Sequence, residues 1–479
     1  MSLFYKPKAG YVGDCIPFYW EGVYHVFYLL RAVGEGQTWS GGQPLTWQHI
    51  ASRNLVTWEE WPEALHWGAE GEADVQGCWT GSVIEREGTF HIFYTGWEGA
   101  IQRICHATSA DLAHWTKDAR NPILAADPRW FEPADWRDPF CFWNEEAGEY
   151  QMLITARLND GPPSRRGCLA LAASPDLETW EARGPWWSPT MCHTHECPDL
   201  FRLGEKWRLI YSQYGEYPRT EQRVADSLAG PWLPPEVDDF DGPRNYAAKT
   251  LGERPARRSP SGGEGGRRLL FGWIATRKDE NDAGPYEWGG HMSLPMELYP
   301  GPDGGLLVRC PEELARIAAE GTALALQPRL GEWESKGGKF SGRCADGFAY
   351  AFAPDAPPDL ALQATIAPRA QTCGLLLRCA ENLDACYIVR LEPRRQRLTF
   401  DRLPRLRDTG SIEVERPMRI EPGKPIMVRV FLEGSTLQAF AGDTTVLSAR
   451  AYDFKHGGLG VFVACGEATF ESLRVAPLA

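Results

Sequence analysis

The sequence lacks an excess of basic side chains and has no long apolar run. Its 479 residues include 64 Asp and Glu against 50 Lys and Arg, a formal net charge of −14, whereas nucleic-acid-binding proteins normally carry a basic excess or stripe. No apolar stretch approaches the roughly 18 residues that cross a bilayer, and the first residues do not have the pattern of a signal peptide. We therefore expect a soluble protein with no nucleic-acid and no membrane partner.

The sequence also lacks closely spaced cysteine pairs. Its thirteen cysteines are an odd number and are scattered, which is typical of reduced thiols in a cytoplasmic protein. Tryptophan, by contrast, is abundant, with 20 residues. Indole rings fill hydrophobic cores and also stack against sugar rings, and we expect core packing to account for most of them.

A repeat runs through the N-terminal part of the chain. Five segments share an aromatic-rich strand, a Gly or charged turn and a second strand, which is the pattern of a β-hairpin. Their spacing is even, at 66, 60, 57 and 62 residues. The anchor residues of the hairpins are Tyr24, Phe90, Tyr150, Trp207 and Leu269. A second motif runs in phase with the hairpins and ends at Trp58, Trp115, Trp180 and Trp232.

This repeat predicts an all-β fold with two domains. Repeats near this length, with about four short strands each, predict a five-bladed β-propeller with one blade per repeat, over residues 1–310. The sequence PEELARIAAEG predicts a helical linker over residues 311–324. Alternating strands predict a C-terminal β-sandwich over residues 325–479. The Gly-, Ser- and Arg-rich residues 253–268 are predicted to form a flexible hairpin insertion without chemistry.

Three of the repeats carry an acidic residue at the start of the first strand: Asp14, Asp138 and Glu196. The first strand of each propeller blade lines the central channel, so these side chains are expected to converge although they are far apart in sequence. Carboxylates crowded into one pocket cannot all ionise easily, and the pKa of one of them rises. A protonated acid beside a carboxylate nucleophile is the pair that glycoside hydrolysis requires. Arg137 either keeps Asp138 ionised or is an exposed residue beside a turn.

Seven sequence blocks resemble, in the same order, the blocks of glycoside hydrolase family 32, the invertase and fructanase family. They are WTGSV at 79–83, NPIL at 121–124, WRDPF at 136–140, HECPDLF at 195–201, NYAAKT at 245–250, FGW at 271–273 and WGGHMSLPMEL at 288–298. The Arg-Asp-Pro and Glu-Cys-Pro-Asp blocks together are a specific signal. The resemblance covers nearly the whole chain and implies a five-bladed propeller followed by a β-sandwich.

The resemblance also implies an activity. The protein would be a retaining glycoside hydrolase that acts by double displacement on β-fructofuranosides or a related furanoside, without a metal or other cofactor. Asp14 would be the nucleophile, Glu196 the general acid/base and Asp138 the stabiliser of the transition state. The partner would be an oligosaccharide or small glycoside substrate, and the protein would be a monomer or homodimer.

The chain departs from the family pattern in the sugar pocket. Gly13 stands where the family usually has Asn, and Leu29 stands where it usually has Gln, so two polar sugar contacts are missing. These changes leave the substrate open between a fructoside, a difructose anhydride and an arabinofuranoside. They also leave open the transfer of a fructosyl group to a second sugar, and a carbohydrate-binding propeller without catalysis.

Further residues are predicted to bind the substrate. The candidates are Arg137, Trp47, Trp79, Thr80, His195 and Trp273. Trp97 is explained equally well as part of the sugar pocket and as a hydrophobic plug between blades.

One cluster has the composition of a metal site. Cys192, His193, His195 and Cys197 lie within six residues, but neighbouring residues on one strand point to alternate sides. We therefore predict no metal, and expect His193 or His195 to contact the substrate or to tune Glu196.

Overall fold

The computed structural model describes residues 2–32, 43–253, 266–406 and 412–478. Most of the predicted insertion at 253–268 lies outside these ranges. The described residues form 33 β-strands and one α-helix, so the fold is nearly all-β. Within the same ranges, no helix is both long and apolar enough to cross a bilayer.

Five groups of antiparallel strands make up the N-terminal part. The first group is β1 Gly10–Trp20, β2 Val23–Ala32, β3 Thr46–Ser52 and β4 Glu59–Leu65. The second is β5 Cys78–Arg86, β6 Thr89–Trp97, β7 Gln102–Ser109 and β8 Thr116–Lys117. The third is β9 Phe131–Asn144, β10 Glu149–Leu158, β11 Gly167–Ser174 and β12 Glu181–Trp187. The fourth is β13 Thr194–Leu203, β14 Lys206–Tyr214 and β15 Arg219–Ala225. The fifth is β16 Asn245–Gly252, β17 Arg268–Arg277, β18 Tyr286–Met292, β19 Met296–Pro300 and β20 Leu306–Arg309.

The sequence repeat corresponds to a structural repeat. Each of the five hairpin anchors is the second residue of the second strand of its group. The second motif forms the same turn in the first three groups, in which a serine hydroxyl accepts a hydrogen bond at 2.9 Å from the backbone N–H three residues later. The donors of these bonds are Leu55, Leu112 and Leu177, whose φ angles are 60°, 65° and 68°. The fixed hydrogen bond holds the leucine in this sparsely populated conformation.

The first strands of the five groups contact one another in a closed ring. β1 contacts β5, β5 contacts β9, β9 contacts β13, β13 contacts β16 and β16 contacts β1. The first and fifth groups are also joined by the pair Val12–Gly290 between β1 and β18. The ring therefore brings together residues from segments that are far apart in the sequence.

Every strand of this ring has a β-bulge at the same level. The pairing register shifts at residues 12–15, 79–81, 137–140, 196–199 and 246–249. Asp138, Cys197 and Ala247 have positive φ angles of 56°, 52° and 50° at these bulges, and a bulge changes the direction of the side chains beside it. The three acidic residues therefore lie at bulges within their strands, and not at the strand starts where the sequence predicts them.

The C-terminal part is a separate set of thirteen strands. After the helix α1 Glu312–Ala319, which follows Pro311, the strands are β21 Thr322–Ala323, β22 Gln327–Leu330, β23 Glu332–Lys336, β24 Lys339–Ala353, β25 Leu360–Pro368, β26 Thr372–Cys379, β27 Cys386–Glu392, β28 Arg397–Leu403, β29 Val414–Pro417, β30 Ile426–Glu433, β31 Thr436–Ala441, β32 Thr445–Arg450 and β33 Gly458–Pro477. The main path through the sheet is β29-β28-β27-β26-β33-β25-β30-β31-β32. One hydrophobic core takes side chains from strands along this whole path, which is consistent with the predicted β-sandwich.

Candidate active site

Asp14 lies at the bulge of β1 and is held by two hydrogen-bond donors. Its Oδ2 accepts a hydrogen bond from Thr80 Oγ1 at 2.5 Å, and its Oδ1 accepts one from Trp273 Nε1 at 3.0 Å. Burial, followed by the charge of Asp138, raises the pKa of Asp14 to about 7, although both hydrogen bonds lower it. At neutral pH the side chain is therefore divided between its protonated and ionised forms.

Cys197 joins Asp14 to Asp138. The backbone N–H of Cys197 donates to Asp138 Oδ2 at 3.0 Å, and its Sγ lies 3.8 Å from that oxygen and 3.6 Å from Asp14 Oδ2. Burial raises the pKa of Asp138, and the charge of Glu196 adds to this effect, while Arg137 opposes it. The first two acids of the cluster therefore share one thiol between them.

Glu196 completes the cluster on β13. Its Oε1 accepts a hydrogen bond from Arg137 Nη2 at 2.6 Å, and its Oε2 accepts one from Tyr246 OH at 2.7 Å. Burial and the charge of Glu196 raise the pKa of Tyr246, so the phenol stays protonated and keeps donating. Both carboxylate oxygens are thus fixed, and 17% of the Glu196 side chain remains exposed.

Arg137 is a buried cation at the centre of this network. Its Nη1 donates to Asp135 Oδ1 at 2.5 Å and its Nε lies 3.8 Å from Asp138 Oδ2. Burial by itself lowers the pKa of an arginine, but the carboxylates of Glu196, Asp138 and Asp135 outweigh it and raise the pKa of Arg137. Of the two interpretations of Arg137, the exposed residue beside a turn is wrong, because only 6% of it is accessible.

Trp47 does not belong to the site, contrary to the prediction. It has no exposed surface, and its ring packs beside Phe27 and Tyr94 in the core between the first two groups. Its Nε1 donates to the backbone carbonyl of Trp79 at 3.0 Å. The prediction that Trp47 contacts the substrate is therefore wrong, and the residue instead supports the strand that carries Thr80.

His195 is also buried away from the site. It precedes Glu196 on β13, so the two side chains point to opposite sides of the strand, and the His195 ring packs against Trp187 and Tyr211. Burial lowers its pKa to about 3, so the ring is neutral. The prediction of a substrate contact is wrong for His195, because none of its surface is exposed.

The other predicted binding residues lie near the acids. Thr80 and Trp273 are nearly buried and donate to Asp14, as described above. Trp79 and Trp97 are partly exposed, with ring centroids 4.9 Å apart. The His193 side chain is 38% exposed and its ring lies 5.7 Å from that of Tyr214.

The Cys-His cluster does not converge on a point. Cys192 Sγ lies 3.4 Å from His195 Nε2 in the core, while His193 contacts Arg157 and Cys197 faces the acids. Among the residues described by the structure, no group of three or more His, Cys, Asp or Glu side chains is placed to hold a metal ion.

Tyr246 was not singled out from the sequence, and Cys197 was considered only as a member of the Cys-His cluster. Tyr246 binds Glu196, and Cys197 joins the two aspartates. The register of the repeat is a signal that could have identified Tyr246, because it occupies in β16 the bulge position that Glu196 occupies in β13. Cys197 follows Glu196 directly, and its role depends on the bulge.

Trp288 explains why position 13 carries no side chain. A Cβ atom built on Gly13 would lie 2.1 Å from Cη2 of Trp288 and 2.6 Å from its Cζ2. The Trp288 ring also lies 5.7 Å from that of Trp273, which holds Asp14. The indole of Trp288 therefore occupies the space beside the candidate nucleophile that a residue larger than glycine would need.

Two family models match the chain. Residues 5–311 match the model described as Glycosyl hydrolases family 32 N-terminal domain, and residues 344–477 match Glycosyl hydrolases family 32 C terminal. Together these two ranges cover most of the sequence.

Similar proteins are known by sequence and by structure. Beta-fructofuranosidase, insoluble isoenzyme 1, of Oryza sativa subsp. indica is 27% identical over 361 residues, which cover 67% of this chain and 57% of that protein. Sucrose-6-phosphate hydrolase of Escherichia coli is 26% identical over 330 residues, which cover 61% of this chain and 60% of that protein. The chain thus spans less than two thirds of the length of these relatives.

The solved structures show the likeness in fold. Exo-inulinase from Aspergillus awamori superposes with a TM-score of 0.75 at 19% identity, covering 99% of this chain and 97% of that chain. Fructan 1-exohydrolase IIa from Cichorium intybus gives a TM-score of 0.73 at 18% identity, with the same coverage.

The raised pKa of Asp14 predicts that this residue destabilises the fold at alkaline pH. The folded-state pKa of about 7 lies above the ordinary Asp value of 3.8, so stability falls as the pH rises from about 4 towards 7. Asp14→Asn cannot ionise. The free energy of unfolding of this variant minus that of the wild type should therefore be larger at pH 8 than at pH 4, by up to about 4 kcal/mol. Urea denaturation at both pH values measures this difference.

Asp226→Asn is the matched control, because the Asp226 side chain is 84% exposed and should show little pH-dependent change. If Asp14→Asn and the wild type had parallel stability curves between pH 4 and 8, the burial argument would be wrong.

Proposed function

The chain belongs to glycosyl hydrolase family 32, and we propose that it is a retaining glycoside hydrolase that acts on β-fructofuranosides or a related furanoside. The observation that carries this proposal is the cluster in which Asp14, Asp138 and Glu196 are linked through Cys197 and Arg137. Two of its relatives are a beta-fructofuranosidase and a sucrose-6-phosphate hydrolase, which supports a fructosyl substrate.

The finer description of the fold is part of the same proposal. We infer that the closed ring of five first strands is the centre of a five-bladed β-propeller over residues 1–310. Residues 311–324 then form the linker, and residues 325–479 form the β-sandwich. The cyclic contacts of the first strands support the five blades, and the continuous core of the C-terminal strands supports the sandwich.

The proposed reaction has two displacements. A carboxylate oxygen of Asp14 bonds to the anomeric carbon while the bond from that carbon to the leaving-group oxygen breaks and Glu196 protonates this oxygen. Water then attacks the anomeric carbon and gives a proton to Glu196, and the bond to Asp14 breaks. Asp138 would accept hydrogen bonds from sugar hydroxyls as positive charge develops at the anomeric carbon.

The contacts within the cluster suit these roles. Thr80 and Trp273 each donate to one oxygen of Asp14, which fixes the carboxylate and favours its ionised form. Arg137 and Tyr246 hold the two oxygens of Glu196, so the proton donor has a fixed orientation. We propose Thr80, Trp273, Arg137 and Tyr246 as positioning residues, and Trp79 as a wall of the sugar pocket.

We propose that the wall beside Asp14 contributes to the choice of furanoside. Trp288 fills the space next to Gly13 with an indole. Leu29 is buried in the core near Trp47, so its predicted place in the sugar pocket is wrong. An aromatic face in place of a polar contact favours sugars that do not need that hydrogen bond.

The cytoplasmic location and the monomeric or homodimeric state stay predictions.

The proposed roles predict different responses to the leaving group. Glu196→Gln should lower kcat/KM on sucrose or another substrate by at least about 1000-fold, and should lose much less activity on a furanoside whose leaving group departs without a proton. Asp14→Asn should be equally inactive on both, because it lacks the nucleophile. Product analysis by mass spectrometry measures turnover on sucrose, fructan oligomers, difructose anhydrides and arabinofuranosides.

Glu205→Gln is the control, because Glu205 is exposed in the turn of the same hairpin as Glu196 and should leave kcat/KM unchanged. If Glu196→Gln turned over substrate as fast as the wild type, Glu196 could not be the general acid/base. Binding without turnover by the wild type on the whole panel would favour a carbohydrate-binding propeller.

The pKa of Asp14 predicts the acid side of the pH profile. Because the nucleophile must be ionised, kcat/KM should fall as the pH drops below about 7. Trp273→Phe removes a hydrogen bond that lowers this pKa, so the acid limb should move to higher pH by roughly 0.7 units for a bond of about 1 kcal/mol. Trp180→Phe is the control, because Trp180 Nε1 donates to the Leu177 carbonyl in an outer turn. A limb that stays in place in Trp273→Phe would contradict the assignment.

The contact between Gly13 and Trp288 predicts a coupled pair. Gly13→Asn must displace the indole, and overpacking of this kind costs about 1–3 kcal/mol, so its melting temperature and its kcat/KM should both fall. Gly13→Asn combined with Trp288→Ala has room for the amide and should recover sucrose hydrolysis relative to Gly13→Asn. Gly204→Asn is the control, because a Cβ there meets nothing within 4 Å and its φ of 63° lies in the left-handed region that Asn adopts. Additive effects of the two changes would show that the positions are independent.

A further inference from the structure

A second cavity lies beyond the bulges, within the same ring of first strands. It has a volume of 790 Å³. Its wall includes segments that follow the bulges on all five strands, residues 16–21, 82–88, 140, 141, 143, 199–201 and 249–252. We call it the rear cavity. Its residues Glu21, Glu87 and Gly88 are exposed, so it opens to solvent at the turns of the first two hairpins.

Aromatic side chains form much of its wall. Phe18 and Trp20 lie on β1 with nearly parallel rings, 6.4 Å between centroids and 9° between planes. Trp143 and Tyr150 form an edge contact at 4.8 Å on the opposite wall. All four side chains are partly exposed, and Phe140 adds a fifth ring to the lining. Aromatic faces hydrate poorly, so a cavity of this size lined by them favours a ligand with apolar ring faces over water alone.

The rim of the rear cavity is acidic. Glu21, Glu85 and Glu87 line it together with Arg86, which is engaged by the Asp176 carbonyl at 2.5 Å and by Glu87 at 3.9 Å. Two further cations, Lys249 and Arg268, line the interior, where Lys249 donates to the Gly81 carbonyl and Arg268 donates to Thr250 Oγ1. Carboxylates accept hydrogen bonds from hydroxyl groups. The same charges repel a phosphorylated or carboxylated ligand.

The floor of the rear cavity has an unsatisfied acceptor. Asp199 is 1% exposed, and its Oδ2 accepts two hydrogen bonds from Thr250, both at 2.6 Å. Its Oδ1 has no hydrogen-bond partner among the described residues. This oxygen is buried below the surface of the floor, so the carboxylates that face the cavity are those of the rim.

We propose that the rear cavity binds a neutral mono- or disaccharide. A sugar combines apolar ring faces for the aromatic wall with hydroxyl donors for the rim carboxylates, and the volume lies within the range of small-molecule sites. An apolar ligand would leave the carboxylates without hydrogen bonds, and a sugar phosphate would be repelled by the rim. The site is separate from the proposed catalytic pocket and does not depend on hydrolysis.

Fluorine NMR of the full chain labelled with 5-fluorotryptophan tests this proposal. The Glu196→Gln variant prevents turnover, and the spectra of Trp20→Phe, Trp143→Phe and Trp273→Phe in that background assign the resonances of the two sites. Fructose, glucose, sucrose and fructose 6-phosphate are the probes. The Trp20 and Trp143 resonances should shift saturably with at least one neutral sugar. The dissociation constant obtained for fructose 6-phosphate should be at least about tenfold higher, a difference of about 1.4 kcal/mol in binding free energy.

Two substitutions identify the site that causes these shifts. Tyr150→Ala should weaken the saturation of the Trp20 and Trp143 resonances at least tenfold and leave the Trp273 resonance unchanged. Tyr214→Ala is the matched control, because Tyr214 is a half-exposed tyrosine outside the rear cavity. If Tyr150→Ala does not fold, Glu85→Ala replaces it.

The proposal fails if the Trp20 and Trp143 resonances stay unshifted up to about 100 mM of every neutral sugar, which corresponds to negligible affinity. It also fails if their shifts survive both Tyr150→Ala and Glu85→Ala. If the proposed hydrolase activity is wrong, the wild type will show no turnover. That result does not depend on whether sugars shift the Trp20 and Trp143 resonances.

Discussion

Burial of three carboxylates around Arg137 is the constraint on which the site depends. The guanidinium contacts Glu196 and lies beside Asp138, whereas the donors described for Asp14 are neutral: Thr80, Trp273 and the Cys197 thiol. Removing carboxylates from water is costly unless charges or donors replace the lost solvation. The cost that remains is visible in the raised pKa values of Asp14 and Asp138. The protein therefore keeps a destabilising charge arrangement at the place where the proposed chemistry needs it.

The fold provides this arrangement through the bulges of the five first strands. Without a bulge, residues along a strand alternate between its two sides, as Glu196 and His195 do. The bulges change this alternation at one level of the ring, and three of them have positive φ angles at residues other than glycine. Such backbone strain persists only where the surroundings hold it. Here Asp138 N–H donates to Thr95 and Cys197 N–H donates to Asp138, so the strained segments of the ring hold one another.

The same five strands carry the acid cluster and line the rear cavity. The bulges carry the acids on one side, and two or three residues further along, the strands line the rear cavity. Lys249 lies between the two regions, because it lines the rear cavity and its charge lowers the pKa of Asp138. Its Nζ donates to the backbone carbonyl of Gly81 at 2.9 Å, next to Thr80. A change in the lining of the rear cavity can therefore affect the acid cluster through a shared strand.

The pocket beside Asp14 shows how a local substitution is tied to distant packing. From the sequence, Gly13 is an isolated loss of a polar residue. In the structure, its lack of a side chain is matched by Trp288 of the fifth group, which fills the space. The two residues are 275 positions apart, and the closed ring brings them together.

The sequence by itself determined the all-β class, the register of the repeat and the three acids. These features are local: the alternation of side chains, the turn residues and the spacing of hairpins follow from short stretches of chain. The five anchors accordingly fall at the same position in their strands.

Only the tertiary structure decided which residues surround those acids. Trp47 and His195 have the right residue type and place in the sequence, yet both are buried in the core, because the side of a strand that a residue faces depends on bulges and on neighbouring sheets. Tyr246, Cys197 and Trp288 reach the site for the same reason. Long-range packing sets these contacts, and no periodicity within one segment encodes them.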